Sequence, residues 1–89
     1  MAESALSQFL KEKRVLAGLS QKQVSDALGY STAQFISNWE RGLATPPIPV
    51  IKRLASLYKV EVQEITDLLL QETLREVAVD FNRKIKQIL

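Results

Sequence analysis

Apolar residues recur along the chain at intervals of three and four, with no sustained alternation of period two, so the pattern is helical throughout. In a first segment, Ser4 to Ala17, residues Leu6, Phe9, Leu10 and Leu16 fall near one face, with Lys11, Lys13 and Arg14 among the others. Gly18 ends it as the residue after the C-cap. Ser20 caps a second helix, Gln21 to Leu28, and Gln23 three residues on completes a capping-box pattern. Its inward residues are Val24, Ala27 and Leu28. Gly29 stops it. Ser31 or Thr32 caps a third helix that runs to about Arg41, before Gly42, with Phe35, Ile36 and Trp39 on its buried side.

All three glycines and all three prolines lie between Gly18 and Pro49. Ala44 to Pro49 reads as a stiff connector with Pro49 at or near the start of a fourth helix, in preference to a proline-rich recognition segment. That helix, about Val50 to Tyr58, buries Ile51, Leu54, Ala55 and Tyr58 or Leu57. After a corner at Lys59-Val60, no glycine or proline interrupts Glu61 to Leu89. Ile65, Leu68 and Leu69 close the core. Beyond them a second stripe begins: Leu70, Leu74, Val77 or Ala78, Phe81, Ile85 and Ile88, with Glu72, Arg75, Glu76, Asp80, Arg83 and Lys86 on the other face. Such a stripe needs a helix to cover it, and a second copy of the chain is preferred over the chain's own domain. The expected organisation is therefore a domain over 1–69 and a dimerisation element over 70–89.

Composition narrows the chemistry. Cysteine and histidine are both absent, which excludes disulfides, thiolate or imidazole metal sites, a Cys or His nucleophile and a His general base. With no glycine-rich phosphate loop and no nucleophile–base set, we expect no enzyme, no cofactor and no metal. Met1 to Leu10 carries Glu3, Ser4, Ser7 and Gln8 in place of an apolar run, and the longest aliphatic stretch is Leu68 to Leu70. The expectation is a soluble, cytoplasmic protein with no membrane segment. The net charge of +2 is low for a nucleic-acid binder, but it is unevenly placed. Residues 1–60 hold eight Lys+Arg against four acidic residues, and residues 61–89 hold four against six.

Two short helices joined by a glycine-containing turn have the outline of a helix-turn-helix, with Ser25 small enough to let the next helix approach and Gly29 tolerating positive φ. A longer string of residues sharpens this: Gly18-Leu19-Ser20-Gln21, Leu28-Gly29-Tyr30-Ser31, Ile36-Ser37-Asn38-Trp39-Glu40-Arg41-Gly42, Pro47, Leu54-Ala55 and Leu57-Tyr58-Lys59-Val60. In these, residues 10–69 resemble the phage-repressor/Cro family of helix-turn-helix regulators, also called the xenobiotic-response-element family. The resemblance implies an all-α, five-helix DNA-binding domain, and says nothing of the helical extension beyond Leu70. It implies that the Gln21 amide meets a DNA phosphate and that Arg41 contacts the backbone. It also implies that Arg14 and Glu40 pair to tie the first helix to the end of the recognition helix.

Lys22, beginning the second helix beside Gln21, is the leading phosphate lysine, with Lys11, Lys13, Lys52 and Arg53 as further partners. Base readers should lie on the outward face of the third helix: Thr32, Ala33, Gln34, Ser37 and Asn38. Gln and Asn can bond bidentately to adenine, and no arginine precedes Arg41 there, so an A·T-rich element is expected. From Gly29 to Ile36 the chain has one residue more than the usual family spacing, which shifts the register of Thr32, Ala33 and Gln34.

These features point to a sequence-specific transcriptional regulator of double-stranded DNA. The expected form is a homodimeric repressor on a near-palindromic operator, joined through Leu70, Leu74, Val77, Phe81, Ile85 and Ile88. The alternatives are an antitoxin whose last helix holds a toxin partner, and a protein-interaction module.

Overall fold

The computed structural model describes residues 4–88, so Glu3 and Leu89, counted above in the charge balance and the extension, lie outside the described residues. Five helices follow one another: α1 Ala5–Leu16, α2 Gln21–Leu28, α3 Gln34–Glu40, α4 Ile48–Tyr58 and α5 Val62–Ile88. Among the described residues there is no strand.

Local chemistry accounts for most of the boundaries. The Ser4 hydroxyl accepts from the Ser7 N–H at 3.1 Å, and the Ser7 hydroxyl oxygen accepts from the Ser4 N–H at 2.8 Å. Serine here takes the role usually held by Glu or Gln in a capping box. At α2 the box has the expected partners: the Gln23 N–H donates to Ser20 Oγ at 3.0 Å and the Ser20 N–H donates to Gln23 Oε1 at 2.8 Å. Gly18, at φ +74°, turns the chain so that the Leu19 N–H reaches the Arg14 carbonyl at 3.2 Å. This closes α1 with a Schellman motif.

Other boundaries differ from the pattern reading. Neither Ser31 nor Thr32 caps α3; the N-cap is Ala33, with no side-chain cap bond, and the helix starts at Gln34. Helix α4 begins at Ile48, with Pro47 as N-cap and Pro49 inside its first turn. It ends at Lys59, a non-glycine residue in the left-handed region at φ 57°.

The core gathers Leu6 and Leu10 of α1, Val24 and Leu28 of α2, Ile36 and Trp39 of α3, Ile51, Leu54, Ala55 and Tyr58 of α4, and Ile65 of α5. Leu68 and Leu69 pack against it, as expected, together with Phe9, Leu19 and Tyr30. Three residues expected inside are not: Leu16 is 77 % exposed, Phe35 is 51 % exposed, and Ala27 is exposed. In α1 and α2 the packed arc is narrow, set by Leu6 and Leu10 and by Val24, Ser25 and Leu28, and residues at its edge fall into solvent.

Helix α5 runs without a break through the expected boundary at residue 69. At about 100° per residue, Leu70, Leu74, Val77, Phe81, Ile85 and Ile88 share an arc of about 80°, centred about 160° from the mean direction of Ile65, Leu68 and Leu69. The stripe therefore lies on the side of the helix opposite the one that packs on the domain. All six of its residues are exposed. The molecule is accordingly elongated, 50 × 25 × 21 Å.

Candidate nucleic-acid interface

The turn between α2 and α3 is built around Ser25. This side chain is fully buried in α2, and its hydroxyl donates to the carbonyls of both Thr32 and Tyr30, the latter at 3.4 Å. Gly29, at φ +84°, starts the turn, and a Cβ there would meet nothing within 4 Å, so conformation and not space selects glycine. Residues 30–33 stay outside both helices, with the Gln34 N–H donating to Thr32 Oγ1 at 3.3 Å. Of the segment between Gly29 and Ile36, residues 30–33 thus form the turn and α3 begins only at Gln34.

On α3 the buried arc is formed by Ile36, Trp39 and Glu40. The opposite face presents Gln34 and Asn38, flanked by Ser37 on one side and Phe35 on the other, with Arg41 exposed just beyond the last turn. Gln34 Nε2 donates to Asn38 Oδ1 at 2.8 Å, so the two amide candidates form a pair one helical turn apart. Ala33 is half-buried at the helix start, and exposed Thr32 belongs to the turn and not to the helix. Of the five candidate readers, the structure brings Gln34, Ser37 and Asn38 together on one helical surface.

A buried ion pair orients this helix. Arg14 Nε donates to Glu40 Oε2 at 2.7 Å and Arg14 Nη2 to Oε1 at 3.1 Å, while Nη1 donates to the Leu19 carbonyl at 2.8 Å. Gln21 Nε2 adds a bond to Glu40 Oε1 at 3.0 Å. Glu40, only 5 % exposed, therefore joins α1, the start of α2 and the end of α3. Its hydrogen bond raises the proton affinity of the Arg14 guanidinium above the ordinary value, against the opposing effect of burial. Tyr58 lies close enough to feel the pair. Burial first, and then the Glu40 charge, push its phenol well above the usual range.

One N–H of the Gln21 amide is thus taken by Glu40. Its second hydrogen and the backbone N–H groups of Gln21 and Lys22 remain as the outward donors at the start of α2, the Gln23 N–H being held by Ser20. They sit at the positive end of the helix dipole, fixed relative to α3 by the Glu40 cluster. Lys22 stands beside them in an exposed pair with Asp26 at 2.9 Å. Such a pair contributes little stability and leaves the ammonium free to exchange partners. Arg53 donates to the Ala27 carbonyl, tying α4 to α2, and Lys13 lies 5.4 Å above the Phe9 ring. Lys11, Lys52 and Arg41 are exposed.

Pattern reasoning missed two residues here. Phe35 shares the apolar pattern of Ile36 and Trp39, and the inward turn of Glu40 moves the buried arc away from it. The small size of Ser25 predicts close helix approach, and its hydroxyl also bonds the turn; a polar residue next to Val24 on the inward side of α2 is the signal in the sequence.

A polar α3 face, an α2 N-terminus held beside it and a turn pinned between them define a helix-turn-helix DNA-binding domain. The helix-turn-helix family model matches residues 10–65, well over half of the chain. The chain belongs to the phage-repressor/Cro-type, or xenobiotic-response-element, helix-turn-helix family, and is a DNA-binding transcription regulator. This is a family of DNA-binding regulators and not of enzymes. No curated protein matches the chain. Among the described residues, no helix is long and apolar enough to cross a membrane.

Proposed function

We propose that the protein is a dimeric repressor that occupies a near-palindromic operator, with α3 of each copy in the major groove and the C-terminal half of α5 joining the two copies. Gln34, Asn38 and Ser37 read base edges; the α2 N-terminus, Lys22 and Arg41 bind phosphates. The observation that carries the dimer is the direction of the α5 stripe. A face turned away from its own core cannot be covered by that core while α5 remains one continuous helix.

The occupant is a second copy in antiparallel orientation. Along α5 the acidic residues Glu64, Asp67, Glu72, Glu76 and Asp80, with Arg75 as the one base among them, precede basic Arg83, Lys84 and Lys86. A parallel pair would set like charges side by side, whereas an antiparallel one lays the basic end of each helix along the acidic part of the other. It also places Leu70 near the second copy's Ile88, and Val77 near its Phe81. The stripe spacing of four, three, four, four and three residues averages 3.6, the period of a straight helix, so the pair crosses without a left-handed supercoil.

Two recognition helices joined in this way suit half-sites about 34–36 Å apart, or a multiple of that spacing. Selection of bound duplexes from random DNA tests the operator: near-palindromes with an A·T-rich half-site are expected, and single asymmetric sites would overturn the dimeric reading. Sedimentation of the full chain tests the contact. Phe81→Asp should raise the dimer dissociation constant more than about a hundredfold, because each copy would bury an unpaired carboxylate. A wild-type chain that is monomeric at micromolar concentration, or a Phe81→Asp variant that still dimerises, would overturn it.

A further inference from the structure

Phe35 is half exposed, yet it is not loose. Its ring centroid lies 4.7 Å from that of Tyr30 in a tilted stack, and Tyr30 meets Trp39 edge-on at 6.1 Å. Trp39 is 3 % exposed and belongs to the core. The three rings form a continuous support from the interior of the domain to the surface of α3. Phe35 thus presents a rigid apolar edge at low conformational-entropy cost.

Its neighbours define the setting. About 100° round the helix from Ile36, Phe35 borders the outward face that carries the Gln34–Asn38 pair. A surface that reads DNA needs an apolar element only where DNA offers one. Among base edges in the major groove, the apolar feature is the 5-methyl group of thymine. The Gln34–Asn38 amides, facing the same groove, suit the adenine edge, so the half-site expected from the polar readers already contains A·T pairs.

We propose that Phe35 is a specificity-determining residue that packs against a thymine 5-methyl group beside the base read by Gln34 and Asn38. This deepens the reading of α3 as the recognition helix and rests on it. Phe35 also makes the recognition surface stiffer than its length suggests, because α3 has only seven residues.

The test uses the full chain and the duplex returned by selection from random DNA. Each thymine of one half-site is replaced in turn by deoxyuridine, which removes the methyl group and keeps the pairing edge. One substitution should weaken wild-type binding about fourfold, the effect of one buried methyl at ~0.8 kcal/mol, and should leave Phe35→Ala no weaker than it already is. In a second measurement on the wild-type protein, 5-iodo-deoxyuridine at that position is irradiated, and the cross-link should map to Phe35. An enriched site with no methyl-sensitive thymine, equal sensitivity in both proteins, or a cross-link to another residue would each overturn the assignment while leaving α3 as the reader. Failure to enrich any sequence would instead overturn the recognition reading itself, and this proposal with it. Because the wild-type measurements stand alone, poor folding of Phe35→Ala would not rescue the proposal.

Discussion

Helices α1 to α4 and the last turns of α5 carry apolar residues at the same helical spacing, but only the first set is covered. Leu10, Val24, Ile36 and Leu54 close on one another, whereas Leu74, Val77 and Phe81 are each more than half exposed. Periodicity specifies that a face is apolar and leaves open what covers it. The missing information is the angle between faces, and α5 shows it within one helix. Ile65, Leu68 and Leu69 point to the domain, and the stripe from Leu70 onward points almost directly away. Charge follows the same division, with a basic surplus in residues 1–60 and an acidic one in 61–89. The low net charge therefore averages a basic part that holds the helix-turn-helix and an acidic-leaning extension.

Paired truncations would break or confirm this contrast most strongly. Leu54 has no exposed surface, and Leu54→Ala should cost about 2–5 kcal/mol in urea unfolding, lost transfer energy plus an unfilled cavity. Val79 is 52 % exposed and lies on the α5 side away from the stripe, so Val79→Ala should stay within about 0.5 kcal/mol. A large Val79 effect would mean that this side of the extension is covered after all.

The Glu40 cluster comes next. Glu40→Gln leaves the Arg14 guanidinium, whose side chain is only 12 % exposed, without its counter-charge. Removing one partner of a buried pair costs about 3 kcal/mol. Operator affinity should fall further than the stability loss alone explains, since the charged bidentate anchor that ties Arg14 and Gln21 to α3 is weakened. A variant destabilised as expected, but binding DNA normally when folded, would confine Glu40 to structure.

These elements also show what was legible in the sequence. Capping chemistry is local, so the Ser20–Gln23 box and the turn at Gly18 could be read directly. The Arg14–Glu40 partnership was available only through family resemblance, because nothing local joins residues 26 positions apart. The start of α3 was not legible. Ser31 and Thr32 are both good N-caps, but Ser25 captures the Thr32 and Tyr30 carbonyls from the preceding helix and holds those residues in the turn. Phe35 was misplaced for a related reason. On a seven-residue helix two adjacent apolar residues compete for one buried arc, and the buried carboxylate of Glu40 decides in favour of Ile36. In each case a contact distant in sequence overrode a sound local preference.

Smaller effects separate phosphate binding from stability. Lys22→Ala removes an exposed ion pair and should change stability by less than about 0.5 kcal/mol. It should weaken binding to all DNA sequences alike and reduce the salt slope of log K by about one per protomer. An unchanged slope would remove Lys22 from the phosphate contacts.

The finest distinction comes from alkaline titration, because both tyrosines, Tyr30 and Tyr58, lie in the domain and none lies in the extension. The Tyr58 phenol is raised above its ordinary value by burial and by the Glu40 charge, with Arg14 opposing. A raised folded-state value means that the unfolded chain releases this proton first, near its ordinary pH of about 10. The stabilisation is therefore complete below about pH 10 and is lost as the pH rises toward the folded-state value. Tyr58→Phe has no such proton to lose. The difference in urea midpoint between wild type and Tyr58→Phe should be constant from about pH 7 to 9 and shift against the wild type above about pH 10. Parallel curves through that range would mean that the phenol is not held neutral by its buried position beside Glu40.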